Sequence, residues 1–308
     1  MIYNKIKVGV IGLGYLGKFH YQKYKANRHA SLVAVVDTND ENINKLESNK
    51  VIKTNDYREL IDIVDAVSIV TPTTTHYKLA KFFLENKIHV LLEKPMTETV
   101  GQAKTLNAIA KKNKRILQIG HLEQFNPAIR KLKLDSVEPQ FIEVHRLCKF
   151  NPRANDVDVV LDLMIHDIDI VLSLVNGKIK KLSVSGKKII TKLTDIANVR
   201  IEFNNNVVAN LTASRISTKN ERKMRIFSKN SYYSIDFIDS ELKKLIKKKN
   251  NTFKTYAHKF AKSDALNDEI KNFINTCRGI ESSMTTGECG ESALKVAKKI
   301  TRALRKND

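Results

Sequence analysis

The stretch "KVGVIGLGYLGKFHYQKYKAN", residues 7–27, is an aliphatic run that breaks on glycine and resumes with a helical pattern. Residues 5–11 read as a buried strand, and a helix opens within the hexapeptide Gly12, Leu13, Gly14, Tyr15, Leu16, Gly17. In this G-x-G-x-x-G spacing each glycine answers a separate need. Gly12 permits a tight turn, Gly14 lets the backbone approach a pyrophosphate, and Gly17 lets the helix lie close on the sheet. The helix N-terminus offers unpaired N–H groups and a positive dipole end to the anion. Taken alone, the hexapeptide is also compatible with a purely structural turn. The next aliphatic run, "SLVAVVD" at 31–37, closes on Asp37, twenty residues past Gly17. A carboxylate there accepts hydrogen bonds from a ribose 2′-OH. It also repels a 2′-phosphate, which points to NAD rather than NADP as the cofactor.

Further along, strand-like runs alternate with helical patterns at βαβ spacing: "DAVSIVTP" (65–72), "THYKLAKFFLENK", "IHVLLEK", "TVGQAKTLNAIAKKN" and "RILQIGH" (115–121). The alternation predicts an α/β fold, a doubly wound parallel sheet covered on both faces, over residues 1–122. "TPTTTHY" begins where the fourth main strand ends, at the edge where open parallel sheets bind ligands. Thr71, Pro72 and Thr73 are candidates for the adenine and ribose side. His76 either faces the cofactor or is a helix-start residue with its ring at the surface. "VLLEKPMT", 90–97, ends the following strand on the same edge. A strand does not need Glu93 and Lys94 there to fold, so they are either solvated residues or groups placed for chemistry. A lysine beside the nicotinamide can stabilise the alkoxide that develops as hydride leaves. The positive ring would also lower its pKa and make it a usable acid or base.

Past about residue 125 the texture changes. "VDVVLDLMIHDIDIVLSLV" (157–175) reads as a long apolar helix, and alternating runs such as "IANVRIEF" and "NVVANLTASR" read as antiparallel strands. Two helical patterns close the chain, so a second domain is expected over 123–308. In a regular helix Asp162, His166 and Asp169 fall at i, i+4 and i+7 on one stripe, beside the apolar stripe of Leu161, Ile165, Ile168 and Leu172. The plain reading is a histidine satisfied by a neighbouring carboxylate. Lys94 on the other domain makes the stripe a catalytic candidate.

The 308-residue length suits about two domains, and 42% hydrophobic with 28% charged residues suits a globular protein. No uncharged run reaches the roughly 18 residues of a membrane span, and the N-terminal glycines are spaced for a turn rather than for a signal peptide. A cytoplasmic protein is expected, with no membrane partner. Cys148, Cys277 and Cys289 lack CxxC pairing, so neither a disulfide framework nor a metal site is signalled. The net charge of +21 raises nucleic acid as a partner. The lysines are spread in short groups without interleaved aromatics for stacking bases, which argues against nucleic acid and leaves an anionic small substrate.

The combination of a G-x-G-x-x-G after the first strand, T-P at the fourth, E-K-P at the fifth and a following G-H with N-P resembles the Gfo/Idh/MocA oxidoreductases. The resemblance covers essentially the whole chain. It implies an N-terminal Rossmann domain binding NAD and a C-terminal α+β domain. That second domain is built on a mostly antiparallel open sheet, which faces the substrate and mediates a homodimer or homotetramer. It also implies a D-x-x-x-H pair, supplied by Asp162 and His166, acting with Lys94. Substrate contacts are expected at His121, Asn126 and Asp169. Arg146 and Arg153 would either meet a diphosphate or lie at the surface. The stretches "DVVLDLMIHDID" and "GHLEQFNPA" are similar to members associated with lipid A biosynthesis that resemble UDP-N-acetylglucosamine 3-dehydrogenases. The arginine usual in that G-H-x-x-R-F-N-P stretch is Gln124 here. The expected function is oxidation of a ring hydroxyl of a nucleotide-linked amino sugar to a ketone. The alternatives are another sugar or polyol such as inositol, a non-catalytic NAD(H)-binding regulator, and a nucleic-acid binder. Spacing leaves open whether Lys94 or His166 is the base.

Overall fold

Val8, Val10, Val35, Val67 and Val90 have no exposed surface, the mark of strands buried on both faces. They belong to β1 (Ile6–Ile11), β2 (Ala30–Val36), β4 (Ala66–Ile69) and β5 (His89–Leu92), which with β3 (Ile52–Thr54) and β6 (Leu117–Ile119) form a parallel sheet. The computed structural model describes residues 5–46, 50–151 and 157–306. Helices α1 (Tyr15–Ala26), α2 (Asp40–Asn44), α3 (Thr73–Glu85) and α4 (Val100–Asn113) make the crossovers. Thr99 and Gln102 close a reciprocal capping box at the start of α4. The strand order is β3-β2-β1-β4-β5-β6. The strand order, not the strand direction, reverses between β1 and β4, so the turns after these two strands flank the crevice in which such sheets bind ligands.

The second unit begins with α5 (Pro127–Leu134) and β7 (Phe141–Leu147). A π turn (Val160–Met164) then leads into α6 (Ile165–Leu174), and the strands β8 (Ile179–Lys187), β9 (Ile196–Phe203), β10 (Val208–Ser214), β11 (Glu221–Ser228), β12 (Ser231–Asp236), β13 (Glu241–Lys247) and β14 (Phe253–Lys259) follow. Its eight-stranded sheet has the order β14-β13-β12-β11-β7-β10-β9-β8. Every pairing is antiparallel except that of β7 with β10. Period-two alternation buries Ile142 and Val144, Val199 and Ile201, Leu211 and Ala213. The helical segment is buried from Val159 to Leu161 and again through most of α6.

The last elements are α7 (Ala265–Cys277) and α8 (Gly287–Lys306). The chain divides into two compact units, Met1–Leu122 with Asp264–Glu291, and Glu123–Ser263 with Ser292–Asp308. Residues 264–291, expected within the second domain, thus belong to the first unit. The reason is hydrophobic: Ile270, Phe273 and Ile274 join the cluster of Val8, Val10, Leu13, Tyr24, Val35 and Leu91. Backbone bonds add to this, with Ile119 N donating to Thr285 O at 2.8 Å. No helix among the described residues is long and apolar enough to cross a membrane.

Candidate active site

The glycine turn has the geometry its spacing predicts. Gly12 has φ +90°, where a side chain would be strained, and a Cβ there would lie 2.5 Å from the Val70 carbonyl oxygen. A Cβ on Gly17 would meet the Gly12 carbonyl, so only hydrogen lets α1 approach the turn this closely. At Gly14, in contrast, nothing lies within 4 Å of an added Cβ, and no side chain caps α1 there. That opening is a cradle for an anion. Leu13 is buried, whereas Tyr15 and Leu16 are exposed. Asp37 ties the turn to β2: its carboxylate accepts from Leu13 N at 2.6 Å and from Asn39 N at 2.8 Å. Asp37, Gly12 and Gly14 share the lining of a cavity of about 460 Å³ with Asn42, Tyr57 and Lys78. Thr71 and Pro72 line it too, and Thr73 is the first residue of α3. The Thr71 and Thr75 hydroxyls are 2.7 Å apart.

His76 follows neither of its two expectations. Its ring is buried, with Nε2 2.8 Å from Thr71 O and Nδ1 2.9 Å from Pro95 O. Burial lowers its pKa against the pull of those carbonyls.

Glu93 and Lys94 stand at the C-terminal end of β5, and the Lys94–Pro95 peptide is cis. Glu93 is not solvated. Its buried carboxylate accepts from His20 Nε2 at 3.1 Å and from Lys94 N at 3.3 Å. The far ring nitrogen of His20 is 2.8 Å from the Ser68 hydroxyl. Burial raises the Glu93 pKa, but the His20 bond and the charges of His20 and Lys94 more than offset this and hold it below the usual carboxylate range. Lys94 itself is half-buried. The G-H motif now has a physical reason: a Cβ on Gly120 would lie 2.9 Å from Glu93 Oε2. His121, next to it, is buried.

In the second unit Asp162 and His166 are half-buried, with Asp162 inside the π turn and His166 in the first turn of α6. The π turn makes i→i+5 bonds and changes the angular step between them, so the stripe predicted for a regular helix is interrupted. Asp169 does not continue it: it is buried and accepts from Gln124 Nε2, while Lys133 Nζ donates to Gln124 Oε1 at 2.6 Å. Asn126 caps α5, its side chain accepting from Ala128 N at 3.0 Å. Arg146 is neither at the surface nor open to a diphosphate. It is buried, with Nε and Nη2 forking onto Asp167 and Nη1 donating to Glu123 at 2.9 Å. Burial opposes its charge, but the two carboxylates outweigh that and hold the guanidinium protonated. Arg153 lies outside the described residues.

Residues 6–121 match the oxidoreductase family with an NAD-binding Rossmann fold, and residues 142–233 match the C-terminal domain of the same family. The chain belongs to the Gfo/Idh/MocA oxidoreductases. It is 35% identical to the UDP-N-acetylglucosamine 3-dehydrogenase of Acidithiobacillus ferrooxidans over 97% of each chain. A solved structure of that enzyme is similar with a TM-score of 0.92 and 35% identity over 99% of this chain and 98% of the other. The myo-inositol 2-dehydrogenase of Thermotoga maritima is 24% identical over 94% of this chain and 93% of its own. The myo-inositol 2-dehydrogenase of Lactobacillus plantarum, at 18% identity and a TM-score of 0.82 over 99% and 98%, shares the fold.

In this Gfo/Idh/MocA chain the residues fit NAD. The open cradle at Gly14 suits the pyrophosphate, and Asp37 suits the adenine ribose. Five residues escape a reading of the sequence: His20, the partner of Glu93; Ser68, which bonds His20 in turn; Asp167, the partner of Arg146; and Asn42 and Lys78, which line the cavity. Only His20 left a usable signal. It lies three residues after Gly17, and both fall on the buried face of α1.

Proposed function

We propose that this oxidoreductase is an NAD-dependent dehydrogenase that oxidises a ring hydroxyl of a nucleotide-linked amino sugar to a ketone, as a UDP-N-acetylglucosamine 3-dehydrogenase does. The observation that carries this reading is the 35% identity to such an enzyme over 97% of both chains. When bound, NAD supplies the hydride acceptor. Gly12, Gly14 and Gly17 receive its pyrophosphate with the N-terminus of α1, and Asp37 accepts from the ribose hydroxyls. Thr71, Pro72 and Thr73 shape the adjoining wall. Lys94 stabilises the negative charge that grows on the substrate oxygen, a role supported by its place at the end of β5 beside the ionised Glu93. His166 accepts the hydroxyl proton, and Asp162 orients it. His121 and Asn126 bound the sugar, while Asp169 and Arg146 act through the residues they hold. Self-association is assigned to the face of the second unit's sheet that carries Phe141, Phe227 and Tyr232, which form a chain of ring contacts. Sedimentation velocity would read a dimer or tetramer.

The test follows NADH absorbance with UDP-N-acetylglucosamine, free N-acetylglucosamine and myo-inositol, beside Lys94→Ala. The expected result is oxidation of the nucleotide sugar alone and a loss of about 100-fold or more in kcat for the variant. Oxidation of inositol with the nucleotide sugar inert would sink the substrate assignment. Full activity of Lys94→Ala would sink the role given to the lysine.

A further inference from the structure

A lysine side chain has four rotatable bonds, so its ammonium is only as well placed as the backbone that carries it. Around Lys94 that backbone is held from both sides by buried imidazoles. On one side the Glu93 carboxylate accepts from His20 Nε2, and His20 Nδ1 is 2.8 Å from the Ser68 hydroxyl. His20 and Ser68 are 1% and 0% exposed, so this chain of bonds lies wholly inside the first unit. An ionised carboxylate only accepts, so Nε2 carries the hydrogen. On the other side His76 lies between Pro95 O and Thr71 O. Both carbonyls are acceptors, so a neutral ring, with one N–H, donates to one of them at a time. Each histidine belongs to a helix that opens on the crevice: His20 is one turn past Gly17 in α1, and His76 lies in the first turn of α3. With exposures of 1%, neither ring can touch a ligand.

We propose that His20 and His76 are positioning residues that fix Lys94 for hydride transfer, by binding its two neighbours, Glu93 and Pro95, to the helices that line the cofactor crevice. The proposal rests on the role given to Lys94 above. It makes the glycine turn, the T-P loop and the E-K-P loop one braced assembly. Freeing either side shifts the ammonium relative to the substrate oxygen, and a displacement near 1 Å costs about 100-fold in rate. NAD is held chiefly by the glycine turn and Asp37, so its affinity changes far less than the rate.

The test uses the full chain with His20→Gln, His76→Gln and Lys94→Met, and the sugar oxidised in the assay above. It measures kcat, KM for sugar and for NAD, NAD affinity by calorimetry, and the kinetic isotope effect of deuterium at the oxidised carbon. Each histidine variant is expected to unfold cooperatively and to keep its NAD affinity within about twofold, while losing about 10- to 100-fold in kcat. The isotope effect should rise, because hydride transfer becomes slower than product release. A kcat within about twofold of the parent, or a rise in KM alone, overturns the proposal. So does a kcat loss that only tracks a smaller folded fraction at an unchanged isotope effect. Should His76→Gln fail to fold, His20→Gln decides. If Lys94→Met keeps its activity, the role of the lysine has failed. If Lys94→Met is inactive while both histidine variants turn over normally, only the brace has failed.

Discussion

Glu269, in α7, has no exposed surface, and neither of its carboxylate oxygens has a hydrogen-bond partner among the described residues. Burial first, and the Glu93 carboxylate second, push its pKa well above the ordinary value. The folded protein therefore keeps a proton that the unfolded chain releases above about pH 4.3. The unfolded state binds fewer protons over that range, so stability falls as pH rises from there toward the folded pKa. Glu269→Gln is neutral throughout and lacks this slope. Urea unfolding at about pH 5 and about pH 8 should show the variant gaining on the parent at the higher pH. An equal pH dependence in both proteins would mean that Glu269 is ionised and paired. The sequence "LNDEIKNF" does not disclose this carboxylate, because an acid beside an isoleucine looks like the polar margin of any amphipathic helix.

The segment that begins at Asp158 shows what helical spacing can and cannot predict. Asp158 Oδ1 accepts from Val160 N and Leu161 N, both at 3.0 Å, and so caps the segment. Asp158→Ala should lower stability by about 1 kcal/mol in urea unfolding. If Asp162 and His166 depend on this start, the variant should also lose kcat at unchanged NAD affinity. Helix existence, its apolar face and its cap can be read from residues 157–175, since each is local. The π turn is not local in this sense. It puts one extra residue into the turn that holds Asp162, and no period in the sequence records that. The same holds for Gln124. Its amide and Lys133 form a network around Asp169 that depends on where α5 lies against α6 within the second unit.

At the scale of the molecule, a formal charge of +21 should matter to an anionic substrate more than to a neutral one. Steering by a basic surface speeds encounter with a diphosphate and is screened by salt. Raising the ionic strength is therefore expected to lower kcat/KM for UDP-N-acetylglucosamine with little change in kcat. Stopped assays across a salt series would show this, and a salt-independent kcat/KM would remove the surface charge from the account. The parallel sheet, its glycine turn, Asp37 at the end of β2 and E-K-P at the end of β5 are determined by the sequence alone. Each rests on residues that are near neighbours in the chain and on the two periodicities of strand and helix. The return of α7 to the first core, the burial of Arg146 on Asp167, and the two histidines that hold Glu93 and Pro95 are decided only by tertiary structure. These contacts join residues from 19 to 73 positions apart or more. Which polar groups then lose water and need partners depends on how complete elements pack, and burial is a property of the packed chain.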